Sequence, residues 1–168
     1  MEYLARKITR AKWMPKPGMA SDDIRADAIT GCLRTTDDTL STWECTMDED
    51  DIADVVLALA AAGSTVDKMD VVLLSKGTLE SLGIRLEATP GRTAIPHLRS
   101  RHVDLSGLEL QRLGGLATNI AMQVRNELNC YRFTRTRVLK LLQAAIENGK
   151  IEIELLDKKL QAELIPAS

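Results

Sequence analysis

Apolar residues recur along this chain with two different periods. Between residues 106 and 129, Leu113, Leu116, Ala117, Ile120, Val124 and Leu128 follow one another at the spacing of a single helix face. Residues 22 to 33 repeat that pattern with Ile24, Ala28, Ile29, Cys32 and Leu33, behind Ser21, a residue type that caps such a start. The sharpest helix signal covers residues 46 to 62. Thr46 and Glu49 have capping-box spacing, Ile52, Val55, Val56 and Leu59 mark one face, and Gly63 closes the segment. Another helix follows Thr134, with Phe133 and Val138 placed as a hydrophobic staple, and ends at Asn148 and Gly149. Short helical segments are predicted near residues 78 to 82 and 157 to 164.

The second period is that of a strand. Residues 3 to 9 and 39 to 45 are rich in strand-forming types, and residues 150 to 156 alternate apolar with polar. Residues 71 to 74, Val-Val-Leu-Leu, form the unbroken run expected of a strand covered on both faces. Pro15, Pro17 and Gly18 interrupt regular structure, and residues 84 to 103, with Pro90, Gly91 and Pro96, have no sustained period. A connection of that length is expected to be functional or mobile.

Strand, helix and strand between residues 39 and 74 predict a βαβ unit whose two strands lie parallel with right-handed connectivity. The expected fold class is α/β: a small mixed or parallel sheet with that unit, covered by helices, plus a C-terminal helical pair over residues 106 to 147. Residues 1–168 then form one domain, with 104–168 as a candidate helical subdomain. Val72, Leu116, Ile120, Val124, Leu139 and Leu142 are the predicted core.

Composition narrows this reading. Only Tyr3, Trp13, Trp43, Tyr131 and Phe133 are aromatic, so the core is aliphatic and a base-stacking platform is not expected. Cys32, Cys45 and Cys130 are odd in number and far apart, which excludes a disulfide framework and points to a reducing compartment. The longest apolar stretch, residues 55 to 62, is too short to cross a bilayer. The expectation is a cytoplasmic protein without a membrane partner.

Charge is distributed unevenly behind a net of -2. Residues 1 to 20 hold five bases and one acid, residues 21 to 70 three bases and thirteen acids, and residues 85 to 140 ten bases and four acids. Such asymmetry bears on partners rather than on fold. The acids Asp48, Glu49, Asp50 and Asp51 fill the first turn of a helix, where the dipole favours anions and neighbouring side chains diverge, so they are read as capping charge. His97 and His102 lie in an irregular basic stretch; two imidazoles without a third ligand make no zinc site, and both are read as surface-loop histidines. No metal or cofactor is expected.

The basic segment from 125 to 140 is the least ordinary part of the chain. Arg135 and Arg137 fall in a first helical turn, where a cation opposes the dipole, so an anion is expected beside them. Arg132, Arg135, Arg137 and Lys140 are therefore the candidate partner-binding residues, and an acidic protein the candidate partner. The expected function is a non-enzymatic regulatory or protein-protein interaction module with separate acidic and basic surfaces. One alternative is a nucleic-acid-binding protein using residues 125 to 140. The other is a small enzyme with its site at the carboxyl ends of the strands ending near Cys45 and Ser75, where parallel α/β sheets place ligands.

Overall fold

A computed structural model describes residues 1–20, 22–125 and 129–165. Its frame is one sheet of six strands: β1 (Tyr3–Ile8), β2 (Leu40–Cys45), β3 (Met69–Ser75), β4 (Arg85–Ala88), β5 (His102–Ser106) and β6 (Cys130–Phe133). Their order is β4-β5-β2-β1-β3-β6, and every neighbouring pair is antiparallel. β3 is buried from Met69 to Leu74, as its apolar run predicts, because helices cover both faces there.

On one face, Ala5, Trp43, Cys45, Val71, Leu73 and Phe133 pack against α3 (Glu49–Ala61), α6 (Arg135–Glu147) and α7 (Lys158–Leu164). On the other, Leu4, Ile8, Leu40, Val72, Leu74, Val103 and Leu105 meet α1 (Arg10–Trp13), α2 (Ala26–Cys32), α4 (Lys76–Ser81) and α5 (Leu110–Arg125). Strand alternation sends successive side chains to opposite layers, so one sheet organises two aliphatic cores. Val72, Leu116, Ile120, Val124 and Leu142 are buried as predicted, and Leu139 is half-buried against the first core.

Several expectations are corrected. β2, α3 and β3 follow one another and the two strands run parallel as foreseen, but they are not neighbours: β1 lies between them and pairs antiparallel with both. No parallel ladder joins them. α5 and α6 do not form a helical pair, because they lie on opposite faces of the sheet with β6 between them in sequence. Residues 150 to 156 are not a strand. Lys150 and Ile151 donate their N–H groups to the Ala145 carbonyl at the end of α6, and Ile153–Leu155 form a 3-10 turn, so no ladder is needed to satisfy that backbone. Residues 84 to 103 contain β4 and a 3-10 turn at Pro96–Arg101. α2 begins at Ala26 rather than near residue 22, and the proposed cap Ser21 and stripe residue Leu128 lie outside the described residues.

The cap of α3 is also displaced. Asp48, not Thr46, is the N-cap: its Oδ1 accepts from the N–H groups of Asp50 (2.9 Å) and Asp51 (3.3 Å). Thr46 instead gives its N–H and hydroxyl to Asp51 Oδ2, at 2.6 and 3.0 Å. Arg101 closes the arrangement, pairing with Asp51 at 2.9 Å while donating twice to the Glu44 carbonyl at the end of β2. Burial alone would raise the Asp51 carboxyl, but Thr46 and Arg101 outweigh it and hold the pKa below the ordinary carboxylate value. Thr134 caps α6 as predicted, accepting from the Arg137 N–H at 3.2 Å.

Replacing Asp48 with alanine orphans two backbone donors of α3. The expected cost is about 1 kcal/mol, measured by urea unfolding.

Candidate functional site

β1 is held unequally on its two sides. It pairs with β3 along all of Tyr3–Ile8, but with β2 only from Tyr3 to Ala5, opposite Trp43 to Cys45. Past Ala5 the two strands part. Arg6 occupies the gap, its guanidinium donating to the Ser41 carbonyl at 2.7 Å and to the Cys32 carbonyl at 2.9 Å, so a side chain replaces the missing ladder. Two cavities open beside this crevice, one of about 560 Å³ and one of about 260 Å³, and Leu59 of α3 lines both.

The larger chamber lies over the β4-β5-β2 end of the sheet, past the cover of α3. Cross-strand pairing sets Trp43 opposite His102 and Ser41 opposite Asp104 on this face. Asp104 accepts from the Ser41 hydroxyl at 3.1 Å and from the Thr89 hydroxyl at 2.8 Å. Thr89 Oγ1 is also 2.8 Å from His102 Nδ1. A hydroxyl carries one proton and a carboxylate only accepts, so the Thr89 proton points to Asp104 and His102 Nδ1 must donate to Thr89. That tautomer leaves Nε2 of neutral His102 as an acceptor, 4.0 Å from Asp104 Oδ1. Trp43 meets the imidazole edge-on, with ring centroids 5.2 Å apart.

Gly91 lets the following loop close over these rings. A Cβ there would stand 2.5 Å from the Trp43 indole and 2.9 Å from His102 Cβ. Arg92, exposed and without an ion pair among the described residues, supplies a cation to the chamber wall. The chamber therefore combines acceptors (Asp104, His102 Nε2), hydroxyls (Thr36, Thr39, Ser41, Thr89), the Trp43 ring and one guanidinium.

The four sequence-predicted residues lie elsewhere, around β6 and the start of α6, and three already have partners within the chain. Arg132 makes a forked pair with Asp70, at 2.7 and 3.3 Å, and that contact raises its pKa. Arg135 reaches Glu163 at 2.7 Å and the Val66 carbonyl at 3.0 Å. Arg137 pairs with Glu49 at 2.6 Å and stacks over Phe133 at 4.3 Å. The anion expected beside the first turn of α6 is thus supplied by α3 and α7. Lys140 is exposed and makes no ion pair among the described residues.

Cys45 and Ser75 stand in one row of the sheet, each opposite Tyr3, with β1 between them. Burial pushes the Cys45 thiol up to about 12, so at neutral pH it holds its proton and is no nucleophile. His97 is exposed, but His102 is not the loop histidine expected: it opens β5 and is buried. Sequence reasoning passed over Thr89, Asp104, Arg6 and Arg92. The period-two alternation His102-Val-Asp-Leu-Ser106 was the available signal. No family model, curated protein or solved structure matches the chain.

Asp70 is only 5% exposed and also accepts from the Arg10 N–H, so losing Arg132 leaves a buried carboxylate underbonded. Arg132→Ala is expected to cost about 1 to 3 kcal/mol. Lys140→Ala should change stability by less than about 0.5 kcal/mol. Denaturant unfolding of both variants separates an arginine that holds the fold from a lysine that does not.

Proposed function

We propose that this protein is a non-enzymatic binding module whose seat for a small polar ligand is the larger chamber of the crevice. The observation that carries the reading is the Ser41–Asp104–Thr89–His102 set, a connected polar network on a sheet face that is otherwise built to be covered. Its acceptors face a cavity of about 560 Å³, within the size range of small-molecule sites. The chemistry favours a ligand that brings N–H or O–H donors to Asp104 and His102, with Arg92 at hand for an acidic group.

Proton placement argues for binding rather than nucleophilic catalysis. In an activated hydroxyl the imidazole accepts the hydroxyl proton. Here that proton is given to Asp104 and His102 is a donor, which is the reverse arrangement. The network serves to fix the orientation of the carboxylate and the imidazole, as a preorganised recognition surface requires.

Thermal-shift screening of polyols, amines and amino acids tests the reading. A ligand at a hundred times its Kd stabilises the folded state by about 2.7 kcal/mol, a shift of several degrees for a domain of this size. The shift should vanish in Asp104→Asn and persist in Lys140→Gln. Hits that ignore Asp104→Asn, or none among ligands of this chemistry, would remove the proposal.

A second reading keeps Arg132, Arg135, Arg137 and Lys140 as a surface for an acidic protein. It is favoured by the exposure of Arg135, Arg137 and Lys140 at one helix start, because exposed ion pairs are worth little and can be exchanged for those of a partner. Arg135→Glu with Arg137→Glu should abolish a salt-sensitive set of co-purifying proteins. Micromolar binding of duplex or single-stranded oligonucleotides, lost in the same double variant, would instead place nucleic acid on these arginines.

A further inference from the structure

The smaller chamber has a different chemistry from the larger one. It is lined by Arg6, Lys7, Ile8, Thr9, Gly31, Cys32 and Leu59, with two cations and no acid among them. Arg6 bonds only to backbone carbonyls, and neither Arg6 nor Lys7 makes an ion pair among the described residues. The Arg6 Nε is buried without a hydrogen-bond partner. Arg101, also partly buried, is matched by the Asp51 carboxylate, whereas Arg125 resembles Arg6 in donating to a backbone carbonyl and leaving its Nε without a partner. A third cation is close by: the flexible Lys12 side chain ends against Gly31 of the wall.

We infer that this chamber is an oxyanion seat, built for a phosphate group and completed by Arg6, Lys7 and the nearby Lys12. Carbonyl bonds at both terminal nitrogens of Arg6 fix its plane without neutralising it, leaving further N–H groups and the full charge for a ligand. Burial draws the Arg6 pKa down, the mark of a charge that is desolvated but not compensated, and a bound anion relieves that penalty. The polar hydrogens of arginine and lysine suit the several acceptor oxygens of a phosphate better than a single-point acceptor. Strand alternation sends Arg6 and Lys7 to opposite faces of the sheet, and the gap past Ala5 is what lets both line one chamber, with Cys32 on one side and Leu59 on the other, so the seat lies in the gap itself. The inference does not depend on what occupies the larger chamber.

Calorimetric titration with inorganic phosphate, in one arm, and glycerol 3-phosphate, in the other, at constant ionic strength distinguishes free phosphate from a phosphate monoester. Saturable binding to at least one is expected, with amide shifts at Lys7 and Gly31 in NMR spectra. Lys7→Gln, at an exposed position, should weaken it roughly tenfold, and Arg6→Lys, which keeps the charge but loses the fork, by at least as much. Lys159→Gln and Asp104→Asn should leave it unchanged. Absence of saturation by tens of millimolar ligand, or equal affinity in wild type and Lys7→Gln, would overturn the assignment, and Lys7→Gln decides it even where Arg6→Lys fails to fold.

Discussion

The early end of the ladder between β1 and β2 is the constraint from which the rest of the site follows. A central strand that pairs fully on both sides leaves no opening in a sheet. Here β1 keeps its full pairing with β3 but releases β2 after Ala5. The Ser41 carbonyl would be orphaned at that point, and Arg6 satisfies it. Because the substitute is a charged side chain, the gap is propped open and positive. Its neighbours, Ser41 on one strand and Lys7 on the other, become walls of separate chambers instead of adjacent links in one sheet.

The same geometry changes the meaning of the charge pattern. Read along the sequence, acids from 21 to 70 and bases from 85 to 140 look like two surfaces waiting for two partners. In space they meet. Arg101 joins Asp51, Arg132 joins Asp70 and Arg137 joins Glu49. These contacts tie the loop before β5, strand β6 and helix α6 back to the acidic middle of the chain. The Arg137–Glu49 pair is exposed and worth little by itself, the Arg101–Asp51 pair is partly buried, and the Asp70 pair has a buried carboxylate and holds one sheet edge. Cations outside this pairing that line the two chambers, Arg6, Lys7 and Arg92, carry more information about ligands than the basic segment as a whole.

What was legible in the sequence followed from local rules. The buried run of β3, the α5 stripe and the Thr134 cap depend on neighbours within a few residues, and each stands where its pattern puts it. The capping signal before α3 was correctly located but assigned two residues early, because Thr46 and Asp48 both suit a cap and only the backbone decides between them. What failed was non-local. Nothing near residues 39 to 75 announces that β1, from the start of the chain, lies between β2 and β3. The alternation at 150 to 156 was a true period-two pattern whose backbone found partners on α6 instead of a strand.

β5 shows why the candidate site in particular escaped a search for apolar patterns. Val103 and Leu105 face the α5 side and are buried as strand residues should be, while His102, Asp104 and Ser106 face the other way. A helix over that second face would bury the Asp104 carboxylate at a cost of several kcal/mol, since among the described residues no lysine or arginine pairs with it. The helical layer stops short: α3 ends at Ala61, and only Leu59 and Ala62 reach the chamber wall. Polar residues on β5 and a short covering helix are therefore two consequences of one requirement, that this part of the sheet remain in contact with something polar. Solvent or a ligand is what can meet that requirement. A ligand that displaces solvent must restore the lost hydrogen bonds, and this is the physical basis on which such a chamber discriminates among the molecules that enter it.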